Sequence, residues 1–178
     1  MLNFLLNWFK MLILKKLNPK KDISDKYVKW MNDKSVHPFS IQKFTKHTKQ
    51  KVKKYVEKIN NTKNIFLYGI FLKQKKSLNH IGNIKLGPIH KYYKSSHISY
   101  FIGEKEYLKK GYTTKAIRMI IKIARQKKVK KLKAGVVEVN YGSIKVVKKN
   151  GFKKEATLIS EEQHGNKRYN SLIFGKVL

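Results

Sequence analysis

The sequence predicts a single domain of the α+β class, and three observations lead to this prediction. Short runs rich in β-branched and aromatic residues, bounded by turn residues, predict about seven strands. Four segments with helical periodicity lie between them. The strands mostly follow one another in hairpins, which indicates a mixed but mostly antiparallel sheet. A chain of 178 residues with 41% hydrophobic content has enough apolar side chains for one core.

The first half of the chain predicts two helices and three strands. Pro19 and Asp22 mark the start of the first helix, and Pro38 lies in the loop that follows it. In the second helix Val52, Val56 and Ile59 recur at the spacing that buries one helical face. The predicted elements are a strand at 12–17, helices at about 22–32 and 48–60, and a hairpin of strands at 65–72 and 80–86.

The second half predicts four strands and two helices. The third helix places Ala116, Ile120 and Ala124 on its buried face and lysine or arginine on the other. Gly151 suits the left-handed residue that ends a helix. The predicted elements are strands at 96–103, 132–139, 152–159 and 169–177, helices at 111–126 and 142–150, and a polar loop at 160–167.

Composition excludes several kinds of site. The chain has no cysteine, which rules out disulfides, thiolate metal sites and cysteine nucleophiles. Its six histidines are scattered singly, so we expect no metal. The net charge of +32 comes almost wholly from lysine, a bias that an AT-rich genome explains as well as selection for polyanion binding does. Since the lysines form no dominant block, we expect nucleic acid to bind only non-specifically.

Residues 1–10, MLNFLLNWFK, are apolar but too short to span a bilayer. They also lack the basic region and cleavage site of a signal peptide. Two interpretations remain open: an interfacial helix that contacts a membrane surface through Trp8 and Phe9, or an extension upstream of a domain that begins near Met11. We therefore divide the chain into residues 1–10 and a domain at 11–178, and we expect a cytoplasmic protein.

Two blocks carry the functional signal. The first, ISYFIGEKEYLKKGYTTKAIRMIIKIA at 98–124, predicts a strand, a basic loop around Gly111 and an amphipathic helix. Such a loop presents the free N–H groups and the positive dipole end of a helix to a phosphate. The second, NYGSIKVVKKNGFKKE at 140–155, predicts another helix with Asn140 and Ser143 at its start and Gly151-Phe152 at its end.

Together these blocks resemble the GNAT family of acetyl-CoA-dependent N-acetyltransferases over about residues 12–178. The second block meets the family spacing, in which Gly-Phe stands eleven and twelve positions beyond the asparagine of Asn-x-x-Ser. In the first, Gly111 alone fits the strict loop pattern [RQ]xxGx[GA], while Leu108 and Thr113 depart from it. The sequence is most similar to the branch of ribosomal-protein N-terminal acetyltransferases and amino-sugar acetyltransferases.

The resemblance implies acetyl-CoA as the acyl donor, with no metal, held between two central strands that splay apart. Backbone groups of one splayed strand would bond the pantetheine, and the loop before the third helix would bind the diphosphate. The implied coenzyme-binding residues are Phe101, Ile102, Gly103, Leu108, Lys109, Lys110, Gly111, Tyr112, Thr113, Thr114, Asn140 and Ser143.

The resemblance also implies two proton transfers. Many family members place a tyrosine seven residues after the asparagine as the acid; that position is Val147 here, and Ser143 is the candidate substitute. Three residues remain open as the base that takes the proton of the amine: Glu138, His97 and Glu162. A structural or solvated role is the alternative for each. Trp30, His37 and Phe39 are candidate acceptor-binding residues, with core packing as their alternative.

The predicted function is transfer of an acetyl group to a primary amine of a small molecule, such as a nucleotide-linked amino sugar. The high positive charge favours an acceptor that bears phosphate. A protein N-terminal amine is the first alternative. A non-catalytic module that binds coenzyme or a polyanion is the second, motivated by the departures from the usual family pattern at Leu108, Lys109, Thr113 and Val147. Monomer and homodimer both remain open.

Overall fold

Seven strands form one mixed sheet in the computed structural model, which describes residues 11–74 and 77–178. The strands are β1 (Met11–Lys16), β2 (Phe66–Gln74), β3 (Ser77–Leu86), β4 (Ser95–Ile102), β5 (Lys131–Val137), β6 (Lys153–His164) and β7 (Lys167–Val177). The α-helices are α1 (Asp25–Asn32), α2 (Lys49–Asn60), α3 (Tyr112–Gln126) and α4 (Tyr141–Lys149). The predicted α+β class, with about seven strands and four helices, is confirmed. The segment 1–10 lies outside the described residues.

The strand order is β1-β2-β3-β4-β5-β7-β6. Strands β1 to β4 pair antiparallel, and so do β5, β7 and β6. The contact between β4 and β5 is parallel and covers three residue pairs, from Ser95 with Lys131 to His97 with Lys133. Two antiparallel halves are therefore joined by a short parallel contact at the centre of the sheet.

Apolar side chains cover both faces of the sheet. On one face, α3 and α4 contribute Ile117, Ile120 and Val147, all fully buried. On the other face, α1 and α2 contribute Trp30 and Val56 to a second cluster. These residues recur at helical spacing, so the amphipathic pattern of the sequence correctly predicted which helical faces are buried.

Side-chain caps set the helix starts. Ser24 accepts a hydrogen bond from the N–H of Tyr27 at 3.2 Å, so α1 begins at Asp25 and not at the predicted Asp22. Asp22 instead accepts from the N–H of Asn18 at 2.7 Å and pairs with Lys15 at 2.7 Å. The carboxylate therefore closes the turn before the helix rather than capping the helix.

The polar segment 160–167 was wrongly predicted as a loop, because β6 continues to His164 and β7 begins at Lys167. The register between the two strands shifts between Leu158 and Glu162, which marks a bulge. Within it Ser160 has φ +50°, its N–H donates to the Asn170 side chain at 2.9 Å, and its carbonyl accepts from Arg168 Nε at 2.8 Å. These bonds satisfy the bulge, so polar residues extend the hairpin.

No helix within the described ranges, 11–74 and 77–178, combines the length and hydropathy needed to cross a bilayer.

Candidate active site

The cleft at the centre of the sheet begins where β4 and β5 separate. Their pairing ends at His97 and Lys133, yet β4 continues to Ile102 and β5 to Val137. A cavity of about 940 Å³ opens beside this gap, lined by residues 98–101 of β4 and 134–137 of β5. The predicted splay of two central strands is therefore confirmed.

Alternation along β4 decides which backbone groups face the gap. The N–H of Gly103 donates to the carbonyl of Ile81 at 2.8 Å, and the carbonyl of His97 accepts from Gly87 at 2.9 Å. In an antiparallel pair, alternate residues direct both backbone groups to the same neighbour. Odd-numbered residues of β4 therefore bond β3, and the backbone groups of Tyr100 and Ile102 face the gap.

This alternation corrects part of the expected pantetheine contact. Phe101 and Gly103 were expected to offer backbone groups, but those groups are directed toward β3. The backbone groups of Ile102, which was also expected to contact the pantetheine, do face the gap, and so do those of Tyr100, which sequence reasoning did not name. The pairing with the IGNIKLG strand, once known, would have revealed it, because the register fixes the direction of every N–H group.

The loop before α3 has the geometry of an anion site. Gly111 caps the helix at φ +79° with open space around its Cα, and Lys109 is also left-handed at φ +59°. The first helical hydrogen bond runs from the N–H of Lys115 to Gly111 at 3.1 Å. The N–H groups of residues 111–114 therefore have no carbonyl within the helix, and they carry its positive dipole end.

These features fit a diphosphate without using the side chains that depart from the expected pattern. Leu108, Lys109 and Lys110 are exposed, and the two lysines add positive charge beside the free N–H groups. Tyr112, Thr113 and Thr114 form the first turn of α3, as expected. Gly111 is the residue of this loop whose left-handed backbone conformation favours glycine.

The start of α4 brings a hydroxyl to the cleft. The Asn140 side chain accepts from the N–H of Ser143 at 3.2 Å and caps the helix. Asn140 and Ser143 both line the cleft. Val147, the position of the tyrosine in many family members, is fully buried in the core. Because valine has no acidic hydrogen, position 147 supplies no proton donor in this chain.

Tyr100 supplies a second hydroxyl beside Ser143. Burial raises the pKa of Tyr100, and a hydrogen-bonding interaction with the neighbouring Ser143 hydroxyl offsets part of that shift. The phenol oxygen is buried and has no hydrogen bond of ordinary geometry to any described residue. The phenol therefore keeps its proton at neutral pH and has a free hydrogen-bonding group next to Ser143.

Two of the three candidate bases lie outside the residues that line the cleft. Glu138 accepts from the N–H of Asn170 at 2.8 Å and from its Nδ2 at 2.9 Å, which joins the end of β5 to β7. It also follows the last residue of β5, so the expected strand geometry that aligned it with Asn140 does not hold. His97 is exposed at the point where the strands part, and desolvation together with Lys133 lowers its pKa.

Glu162, the third candidate, does line the cleft. It projects from the β6–β7 hairpin together with Glu161, which also lines the cleft. Its Oε2 lies 3.3 Å from Nε2 of His164. Glu161 and Glu162 are the carboxylates among the described cleft-lining residues, so both acidic groups approach from the same hairpin.

Aromatic side chains form the wall opposite the hairpin. His37 and Phe39, two of the candidate acceptor-binding residues, line the cleft. The His37 ring lies 4.5 Å from the ring of Phe101, and burial lowers its pKa, so the imidazole is neutral at pH 7. Trp30, by contrast, is a core residue: it is 4% exposed and its Nε1 donates to Glu104 at 3.0 Å.

Asn83 of β3 lines the cleft and was not among the residues expected there. Its Oδ1 accepts a hydrogen bond from His80 Nε2 at 2.9 Å. Tyr27 of α1 also lines the cleft, and burial raises its pKa.

Within residues 11–74 and 77–178, no group of three or more His, Cys, Asp or Glu side chains is arranged to hold a metal ion.

Comparison with known proteins agrees with this geometry. The profile of the acetyltransferase (GNAT) domain family matches residues 11–153. None of the curated protein sequences matches the chain. Solved structures with a similar fold include three acetyltransferases of different kinds.

The microcin C7 self-immunity acetyltransferase, solved with acetyl-CoA and AMP, is 19% identical with a TM-score of 0.77, over 94% of this chain and 92% of its own. Spermidine N-acetyltransferase from Vibrio cholerae, solved with CoA and spermine, is 16% identical with a TM-score of 0.80, over 93% and 95%. Ribosomal-protein-alanine N-acetyltransferase from Brucella melitensis is 20% identical with a TM-score of 0.76, over 93% and 99%.

Proposed function

Because the chain belongs to the GNAT family of acetyl-CoA-dependent N-acetyltransferases, we propose that it acetylates the primary amine of a small anionic molecule, such as a nucleotide-linked amino sugar. The observation that carries this proposal is the cleft beside the gap between β4 and β5. Its volume of about 940 Å³ is that of a small-molecule pocket. Acceptor and thioester would meet there.

The lining of the cleft suits a sugar. Phe39 and Phe101 offer aromatic faces, on which the apolar face of a sugar ring packs well. Tyr27, Asn83 and Ser171 offer polar groups that can bond hydroxyls. A mixture of aromatic walls and a few polar groups is typical of pockets that orient one small ligand.

The charge of the protein suits phosphate. A net charge of +32 attracts anionic acceptors and repels cationic ones such as polyamines or basic proteins. Lys51 and Lys85 line the cleft itself. A protein of similar fold was solved in complex with both acetyl-CoA and AMP, which supports an acceptor that bears a nucleotide.

In the proposed mechanism acetyl-CoA supplies the acetyl group as a thioester. The N–H groups at the start of α3 bind its diphosphate, and the backbone of Tyr100 and Ile102 holds the pantetheine in the gap. One of these N–H groups then donates to the thioester oxygen as negative charge develops on it. A single such donor contributes several kcal/mol to transition-state stabilisation.

Residues of this chain carry out the two proton transfers, from the acceptor ammonium and to the leaving sulfur. Glu162 faces the cleft and takes a proton from the ammonium of the acceptor, which frees the amine to attack. Ser143 and Tyr100 lie beside one another at the start of α4. Their hydroxyls donate to the sulfur as the C–S bond breaks, and so replace the hydroxyl that Val147 lacks.

The test is release of free thiol from acetyl-CoA in the presence of single amines. We expect UDP-glucosamine to be used with higher kcat/KM than glucosamine, spermidine or a peptide with N-terminal alanine. Faster turnover of the peptide would instead assign a protein N-terminal amine as acceptor. Preference for spermidine would contradict the charge argument and the proposal with it.

A further inference from the structure

Three side chains from two separate elements meet at the mouth of the cleft. Lys43 lies in the 3-10 turn Ile41–Phe44, and Glu162 and His164 lie at the end of β6. The Lys43 Nζ is 2.5 Å from the His164 Nδ1. On the other side of the same ring, Nε2 is 3.3 Å from the Glu162 Oε2. The imidazole therefore bridges an ammonium and a carboxylate.

Hydrogen-bond chemistry fixes the direction of this chain. An ammonium has three N–H donors and no acceptor, so Lys43 must donate to Nδ1. Nδ1 therefore carries no proton, and the proton of the neutral ring resides on Nε2. Nε2 in turn donates to Glu162, whose Oε2 accepts. The result is a directed relay from Lys43 through His164 to Glu162.

The surroundings hold the ring in place. His164 lies edge-on to Phe39 at 5.5 Å between ring centroids and 5.8 Å from Tyr169 on β7. Lys43 also donates to the carbonyl of Pro38 at 2.9 Å, which limits where its ammonium can lie. The His164 side chain is 14% exposed. The His164 ring is therefore largely buried among four neighbouring side chains, and it can hold the Glu162 carboxylate in a fixed position.

We propose that Lys43 and His164 are positioning residues that fix the Glu162 carboxylate, so that its Oε1 receives the ammonium of the acceptor. This inference rests on the proposed function. The Glu162 carboxylate takes one proton from the R–NH₃⁺ group, and the freed amine nitrogen forms a bond to the acetyl carbon. As the C–S bond breaks, the sulfur takes a proton from the Ser143–Tyr100 pair. The nitrogen then loses its second proton as the amide forms, and that proton restores the pair. The relay itself loses no proton, because Nε2–H stays bonded to Oε2 throughout.

The same three residues tie the β6–β7 hairpin to the turn between α1 and α2. The contact between the hairpin and this turn therefore combines the polar chain with the aromatic packing of His164 against Phe39. The chain has a net charge of +32 and ten acidic residues, so its many lysines repel the ammonium of an acceptor. The Glu162 carboxylate therefore determines where that ammonium binds. The relay thus contributes to the specificity of the site as well as to its geometry.

Nitrogen-15 NMR of the histidine rings tests the relay without any acceptor. His164 is assigned by the loss of its signals in His164→Gln. We expect Nδ1 to be unprotonated and its resonance to move in Lys43→Met, but not in the control Lys46→Met, which removes an exposed lysine from the same loop. A proton on Nδ1, or the same Nδ1 resonance with and without Lys43, would overturn the relay.

Kinetics with UDP-glucosamine as the amine probe test its role. We expect His164→Leu to lower kcat/KM by about 10- to 100-fold, since misplacing a reacting group by 1 Å has an effect of this size. The KM for acetyl-CoA should stay unchanged, and His164→Gln should recover part of the loss, because its amide can donate to Glu162. Thermal unfolding checks that each variant folds.

A double-mutant cycle separates positioning from a general structural role. In a Glu162→Gln background, His164→Leu and Lys43→Met should each change kcat/KM by less than about 2-fold, since the group they act on is absent. If the fold-loss in kcat/KM of each double variant equals the product of the two single losses, the inference is contradicted. If the wild-type protein does not acetylate UDP-glucosamine, the proposed acceptor class fails, while the NMR result still decides the relay.

Discussion

Replacing Gly103 with alanine tests how β4 is held in position at the cleft. A Cβ at this residue would lie 2.1 Å from Cδ2 of Trp30 and 2.5 Å from Cε2 and Cε3. Ordinary contact begins at 3.4 Å, so the indole or the strand must move by 3.4 − 2.1 = 1.3 Å. The ring is held by the bond from its Nε1 to Glu104 at 3.0 Å and by the His80 ring at 5.1 Å.

Overpacking of this kind destabilises a core by about 1–3 kcal/mol. In a domain of this size each kcal/mol lowers Tm by roughly 2–4 °C, so Gly103→Ala should lower it by about 2–12 °C. Because the N–H of Gly103 bonds Ile81, the strand end moves with the residue, and coenzyme A should bind more weakly. Differential scanning calorimetry and calorimetric titration with coenzyme A measure the two effects.

Two further variants make the test specific. Gly142→Ala adds a methyl group 3.8 Å from the nearest atom, within α4, and should leave Tm unchanged or raise it. Trp30→Leu removes the ring that the new methyl group would strike, so the double variant should lose less than the sum of the single losses. An unaltered Tm for Gly103→Ala, or strictly additive losses, would refute the packing argument.

Three other outcomes follow from the structure. Gly111→Ala places a side chain at φ +79°, which costs about 1–2 kcal/mol, so the unliganded loop should leave the conformation that binds the diphosphate. Titration calorimetry should then show a 5- to 30-fold rise in the Kd of coenzyme A. An unchanged Kd would mean that the loop does not bind it. Ser143→Ala should lower kcat by at least about 10-fold with little change in KM for acetyl-CoA, as measured by thiol release; equal effects on both would indicate a binding role. Burial lowers the pKa of His80, so the unfolded state binds more protons below about pH 6.5. The free energy of unfolding should therefore fall as pH decreases through that range, by up to about 1.4 kcal/mol per pH unit, and His80→Gln should flatten the urea-denaturation profile against pH.

The sequence predicted the features that depend on local periodicity. The buried residues of α3 and the left-handed residue at Gly151 follow from short-range pattern and steric rules, and the structure has both of them. The gap between β4 and β5 was inferred from family resemblance. Its extent depends on long-range pairing, which periodicity does not encode.

The functional residues were harder to predict because they depend on contacts between distant segments. Glu138 was chosen because the strand predicted at 132–139 would place it on the same face as Asn140. The strand β5 instead ends at Val137, and the Glu138 carboxylate accepts hydrogen bonds from Asn170. Trp30 has an aromatic ring that could stack on a sugar, but the ring lies in the core against Gly103. The bond between Lys43 and His164 spans 121 positions, so no local rule could have joined them.

The short parallel contact at Ser95–His97 has a consequence for how the domain responds to its donor substrate. Four strands lie on one side of this contact and three on the other, and beyond it the facing edges of β4 and β5 are not paired with each other. An extended amide-bearing chain that threads between these edges would bond both halves, as an eighth strand would. If acetyl-CoA binds as proposed, its pantetheine would therefore join the two halves of the sheet.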